Sequence, residues 1–242
     1  MPRLLLIETS TSLCSTALAE DGRIVCSRRS TEPRAHASLT AVFVKEMLEE
    51  SGWTVRELDA VAVSAGPGSY TGLRVGSSTA KGLCFGGQVP LIAVSTLDIL
   101  ARQAIEAGLP EGCKAILPMV DARRMEVYTA VYSPEGARLT DISPVILDEN
   151  SFADLFDSGP VAVIGDAAEK FAPLRASTAN EVPPEAGCGC ANGSVFMQCC
   201  PEASAMLVPA MRKYEKKEFE DTAYFEPFYL KQFIATTPKK LF

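Results

Sequence analysis

Leu4-Leu5-Leu6-Ile7-Glu8, Leu13-Cys14-Ser15-Thr16-Ala17-Leu18-Ala19-Glu20 and Arg23-Ile24-Val25-Cys26-Ser27-Arg28-Arg29 are three strand candidates in close succession. Asp21-Gly22 separates the last two. Both central positions of a two-residue hairpin want positive φ, so this pair predicts an antiparallel hairpin. A helix is predicted from Ala35 to Ser51, stopped by Gly52 in the usual post-helix position. Its apolar residues, Leu39, Val42, Phe43, Val44, Met47 and Leu48, cover more than one ~100° stripe, so the helix should touch more than its own sheet. Ala60–Val63 reads as a buried strand running into Gly66-Pro67-Gly68. A helix at Thr71–Phe85, a strand at Leu91–Val94 and a helix at Thr96–Ala107 follow.

Three strands followed by helix, strand, helix, strand and helix match a ribonuclease-H-like, actin-like half, an α/β fold with a mixed sheet and helices on both faces. After Gly108-Leu109-Pro110 the theme restarts, with strands expected at Ala115–Val120, Val127–Tyr132 and Arg138–Leu147. A short helix at Phe152–Asp157 and a strand at Val161–Ile164 come next, and then a helix near Ala203–Lys213. The expectation is a duplicated architecture of two subdomains, the second copy degenerate. The first spans 1–108, with 203–242 packing back on it; the second spans 109–202.

Of the 242 residues, 30 are acidic and 23 basic, for a net charge of −7. That balance argues against a free-standing DNA- or RNA-binding protein, which needs a basic footprint. The apolar share of 47% is enough for a core that needs no disulfide or metal staple. The apolar run at the start is too short for a signal-peptide core, and no stretch is long enough to span a membrane. Eight scattered cysteines read as reduced, so the expected compartment is the cytoplasm. Cys188-Gly-Cys190 and Cys199-Cys200 lack the spacing of a structural zinc site; a loop leading into a strand is the preferred reading, and no metal is assigned.

Three constellations remain. Gly66-Pro67-Gly68-Ser69-Tyr70-Thr71-Gly72 lies between a strand and a helix, where amides and the helix dipole favour an anion. It is neither a Walker loop nor a dinucleotide fingerprint. Gly72, Gly76, Ala80 and Cys84 recur every four residues, and glycine within a helix costs ~1 kcal/mol against alanine. Close packing on the sheet or on a partner helix therefore competes with phosphate contact as the reason for this pattern. The single histidine, His36, would have to serve any Ser-His or Cys-His hydrolase, and no G-x-S-x-G elbow accompanies it. At a helix start it reads as a capping or interface residue. Asp121-Ala122-Arg123-Arg124-Met125-Glu126 sits at a strand end, either lining the cleft between the halves with Thr9 or forming a plain surface turn.

Together these residues resemble the TsaB (YeaZ) family. Ile7-Glu8-Thr9-Ser10-Thr11-Ser12-Leu13-Cys14-Ser15 resembles its opening motif, Gly66–Gly82 its Gly-Pro-Gly-Ser signature, Asp121–Tyr128 its Asp-Ala-Arg motif and Glu226–Leu230 its close. Glu8 stands where many members have Asp, and Lys231 where Arg is common. The resemblance implies an actin-like protein acting in synthesis of tRNA N6-threonylcarbamoyladenosine, with no catalytic residue of its own. It implies a subunit that pairs with the metal-bearing paralogue TsaD and the ATPase TsaE, leaves ATP and magnesium to the complex, and meets tRNA only through it. Where the paralogue carries histidines, this chain has Ser95-Thr96-Leu97-Asp98-Ile99. The partner interface implied is His36, Leu39, Phe43 and Met47 with Leu73, Gly76, Ala80 and Leu83, and the isolated chain is expected to pair with itself there. A stand-alone actin-like ATPase or sugar-kinase relative is the alternative. A peptidase would have to depend on His36.

Overall fold

The computed structural model describes residues 2–178 and 192–229. Its first sheet contains β1 (Arg3–Glu8), β2 (Cys14–Glu20), β3 (Arg23–Ser30), β4 (Ala60–Gly66) and β5 (Leu91–Ser95), in the order β3-β2-β1-β4-β5. β1 is antiparallel to β2 and parallel to β4. Asp21 and Gly22 both take positive φ, as the hairpin reading requires. Between these strands run α1 (His36–Ser51), α2 (Tyr70–Gly87) and α3 (Thr96–Ala107).

The second sheet contains β6 (Ala115–Asp121), β7 (Glu126–Thr129), β8 (Ser143–Ile146), β9 (Val161–Gly165) and β10 (Val195–Gln198). Read as β8-β7-β6-β9-β10, its order and strand directions repeat those of the first sheet. The duplication is complete in the sheets and degenerate in the helices. α1 has 16 residues where its counterpart α4 (Ala153–Asp157) has 5. α2 has 18 where α5 (Ala168–Thr178) has 11. α6 (Leu207–Glu215) follows a short 3-10 turn at Ala203–Met206.

Two of the expected strands are shorter than their sequences suggest. β7 ends at Thr129, after which Tyr132 forms only isolated bridges to Ile116 and Arg138. β8 begins at Ser143 rather than Arg138 and carries Pro144, which is tolerated because β8 is an edge strand. α5 has no sequence counterpart in the expectations above: its apolar residues follow no helical stripe, and Pro173 lies inside it.

Side-chain alternation sorts the core into layers. Leu5, Ile7, Leu18, Val61 and Val63 meet α1 and α2 on one face of the first sheet. Leu4, Leu6, Ala60, Ala62 and Ile92 meet Ile99 of α3, with Met206, Leu207 and Ala210, on the other. α3 is shared between the sheets: Leu97, Leu100, Ala101 and Ala104 pack on Ile116, Val120, Ala162 and Ile164 of the second. The remaining face of that sheet is covered by Phe156 and Phe171. Residues 220–228 return along the first sheet, where Glu220 N–H donates to Leu91 O at 2.9 Å and Phe228 N–H to Ala65 O at 2.7 Å. Among the described residues no helix is long and apolar enough to cross a membrane.

Because Leu100 is fully buried in the cluster that joins α3 to the second sheet, Leu100→Ala is expected to cost about 2–5 kcal/mol. Urea unfolding of the full chain, followed by circular dichroism, checks this; a cost within 0.5 kcal/mol of zero would contradict the shared core.

Candidate functional site

The glycine-rich segment is a clasp between α2 and the turn that leaves β1. A Cβ on Gly68 would lie 2.3 Å from Ser10 O, on Gly72 2.0 Å from Thr9 O, and on Gly76 2.2 Å from Thr9 Oγ1. Backbone therefore meets backbone at Gly68 and Gly72, and at Gly76 the helix backbone meets the Thr9 side chain. Thr9 Oγ1 donates to Gly72 O at 2.8 Å, and Ser69 N–H donates to Ser10 O at 2.6 Å. Ser69 caps α2, its hydroxyl accepting Gly72 N–H at 3.3 Å. Gly66, at φ +98°, has no room for a Cβ because Phe228 O would lie 2.9 Å away, and its bond to Pro67 is cis. The Ser69 and Gly72 amides that would cradle a phosphate have partners within the chain. Of the two readings left open, close packing is the one this geometry favours.

Beside the clasp lies a buried polar cluster. Glu8 is fully buried, and its Oε1 accepts Ser10 N–H at 2.5 Å. Glu8 Oε2, Ser10 Oγ and Thr11 Oγ1 are buried without a hydrogen-bond partner. Burial pushes the Glu8 carboxyl up to about 7 against hydrogen bonds from Ser10, Ser64 and Thr9 that act the other way.

The proposed partner residues divide sharply. Met47, Leu73, Gly76 and Ala80 are buried in this chain's own core. His36, Leu39, Phe43 and Leu83 are half-buried at the surface of α1 and α2. The wide apolar set of α1 and the small-residue stripe of α2 are thus largely accounted for inside the molecule. Two neighbours absent from that set are more exposed: Val42 at 43% and Phe85 at 85%. His36 opens α1 but does not cap it, and its buried Nε2 has no partner.

Asp121, Arg123 and Glu126 form the turn between β6 and β7, where Arg123 and Arg124 both take positive φ. Asp121 Oδ1 accepts Arg123 N–H at 2.7 Å and pairs with Lys170. Asp166 Oδ1 accepts Asp121 N–H at 2.8 Å, and burial pushes the Asp166 carboxyl up to about 6. Asp166 and Lys170 escape sequence reasoning because they lie at the start of the unforeseen α5. Thr9 is fully buried against α2, so it does not line an open cleft with these residues.

Cys188, Cys190 and Lys231 lie outside the described residues. Cys199 follows the strand β10, and burial pushes its thiol up to about 11, leaving it protonated at neutral pH. Among the described residues no group of three His, Cys, Asp or Glu side chains is placed to hold a metal ion.

Two outcomes follow from the clasp. Gly72→Ala is expected to lower the thermal midpoint, since its Cβ meets a carbonyl oxygen, whereas Gly82→Ala, with nothing within 4 Å, should be neutral or stabilise by up to ~1 kcal/mol. Equal effects from the two, read by calorimetry, would contradict the clasp. The raised Glu8 carboxyl keeps its proton in the folded chain between pH 4.5 and about 7, where the unfolded chain has lost it. Stability contributed by the protonated form is full below pH 4.5 and lost as pH rises to 7, on the order of 3 kcal/mol at 1.36 kcal/mol per unit. Glu8→Gln should flatten that part of the stability–pH profile; an unchanged slope would show that Glu8 is not its source.

Residues 29–180, more than half the chain, match the family described as TsaD, tRNA N6-adenosine threonylcarbamoyltransferase. The tRNA threonylcarbamoyladenosine biosynthesis protein TsaB of Escherichia coli is 30% identical over 237 residues, covering 96% of each chain. Its Haemophilus influenzae namesake is 36% identical over 135 residues, 56% of each chain. The solved structure of YeaZ from Pseudomonas aeruginosa superposes with a TM-score of 0.74 at 29% identity, covering 95% of this chain and 100% of that one. With the repeated sheet order and the clasped glycine segment, these likenesses establish that the chain belongs to the TsaB (YeaZ) family.

Proposed function

We propose that this chain serves tRNA threonylcarbamoyladenosine synthesis as a non-catalytic subunit that binds and activates a TsaD-type transferase, with TsaE joining the pair. The similarity to a protein named for that biosynthesis, across 96% of both chains, supports the pathway. The observation that carries the subunit role is the surface of α1 and α2, where Leu39, Phe43 and Leu83 are half-buried and Val42 and Phe85 stand out. Clustered apolar side chains at a surface gain by burial against another protein. In this reading His36 borders the interface, and the isolated chain pairs with itself through the same face. The two sheets correspond to subdomains 1–108 and 109–202, with residues from 203 onward returning to the first. The protein works in the cytoplasm.

An actin-like fold implies a magnesium nucleotide between its halves. The residues at the end of β1 do not fit one: the Glu8 side chain is fully buried with Oε1 held by Ser10 N–H, and the Ser69 and Gly72 amides have internal partners. No step of the transfer is routed through this chain. Its part is to hold a partner's surface in one arrangement.

Val42→Asp combined with Phe85→Asp should reduce co-purification of the TsaD-type partner at least tenfold while leaving the unfolding midpoint within the range of ordinary surface changes. Retention of the partner at the wild-type level would contradict this role for the face.

A further inference from the structure

Between the end of α6 and Tyr229 the chain forms no helix or strand of its own, yet it is tied to the first sheet at two points. Glu220 N–H donates to Leu91 O at 2.9 Å on the outer edge of β5, and Phe228 N–H donates to Ala65 O at 2.7 Å at the end of β4. Between these ties lies a turn that closes on itself. Asp221 Oδ1 accepts Ala223 N–H at 2.8 Å and Tyr224 N–H at 3.3 Å, and Asp221 O accepts Phe225 N–H at 2.8 Å. Residues 220–228 are thus held firmly within themselves and by few bonds to the sheet. Of their side chains only Phe225 and Pro227 are buried, while Tyr224 is 83% exposed and Phe228 47%. A segment with a compact internal turn and little buried apolar area lifts at lower cost than the sheet beneath it unfolds.

One side chain from outside the segment fastens its middle. Lys81, half-buried on α2, donates from Nζ to Ala223 O and to Phe225 O, both at 3.1 Å. It forms no salt bridge among the described residues, so its charge is directed at these two carbonyl oxygens. α2 is the fixed side of this latch, because its first turns are clasped to Thr9. The segment lies flush on the end of the sheet: a Cβ on Gly66 would come 2.9 Å from Phe228 O. Beneath it is a cleft of about 870 Å³, lined by Ala65, Ala93 and Ser95 from the ends of β4 and β5 and by Arg138 and Asp141 of the second half. Lifting the segment opens that cleft and bares the β5 edge.

We propose that residues 220–228 form a flap that opens as a unit while both sheets stay folded, and that Lys81 is the positioning residue that latches it shut. The ammonium holds the turn at two points at once, so its loss frees the middle of the flap and leaves only the two ends tied. Opening does not depend on the role given to the outer face of α1 and α2.

Native-state hydrogen exchange of the full-length chain, read by NMR, tests this, because the Glu220 and Phe228 amides are protected only while the flap is closed. In the wild-type chain these two amides should exchange at least tenfold faster than the amides that pair β1 with β4, with little dependence on urea below the unfolding transition. Lys81→Met should speed both by at least a further tenfold and leave the β1–β4 amides and the thermal midpoint unchanged. Lys45→Met, at an exposed lysine of α1, should speed neither. Exchange of Glu220 and Phe228 at the β1–β4 rate, with the same urea dependence, would mean that the segment opens only on global unfolding and would overturn the proposal. So would a Lys81→Met variant that leaves both amides as they were, or one that speeds the β1–β4 amides equally.

Discussion

The contact on which the molecule turns is that of Thr9 with the backbone of α2. Its hydroxyl reaches Gly72 O, and its carbonyl and Oγ1 occupy the space that side chains at positions 72 and 76 would fill. That approach holds the first turns of α2 against the end of β1 and leaves Leu73 and Ala80 buried. It explains why a helix tolerates glycines that each cost ~1 kcal/mol against alanine. It also buries Glu8, Ser10 and Thr11, where one carboxylate oxygen and two hydroxyls have no hydrogen-bond partner within the chain. What resembles a phosphate cradle in one dimension is an internal joint in three.

How much of this was legible beforehand depended on how local the cause was. Asp21-Gly22 and the β1–β3 runs announce their hairpin because turn chemistry and alternation act between neighbours. Gly52 likewise marks the end of α1, in the left-handed conformation that glycine favours. The duplication was readable from the restart at Ala115, yet the agreement of β8-β7-β6-β9-β10 with β3-β2-β1-β4-β5 needed the pairings themselves. α5 was not legible: Phe171 is buried by α4 and the second sheet, a tertiary effect, and Pro173 argues locally against a helix. The periodic glycines were seen, but periodicity cannot say whether a stripe faces its own sheet or a partner. Only burial decided that Met47, Leu73, Gly76 and Ala80 belong to the interior.

The two faces of the first sheet are used differently in this arrangement. One face of the first sheet carries α1 and α2, with apolar side chains at their outer surface; the other is closed by α3 and α6. α3 also forms the core of the second sheet, so the halves share one rigid element. A subunit that presents a surface to a partner benefits from that sharing, because any play between the sheets would blur the surface.

The internal contacts of the glycine-rich turn make it a structural clasp rather than an anion site. Amide chemical shifts of Gly68, Ser69 and Gly72, followed during titration of the full-length chain with inorganic phosphate and then magnesium ATP, test it most directly. A clasp leaves the shifts of these three amides unmoved. Saturable shifts confined to them, at concentrations that leave the rest of α2 unchanged, would contradict it.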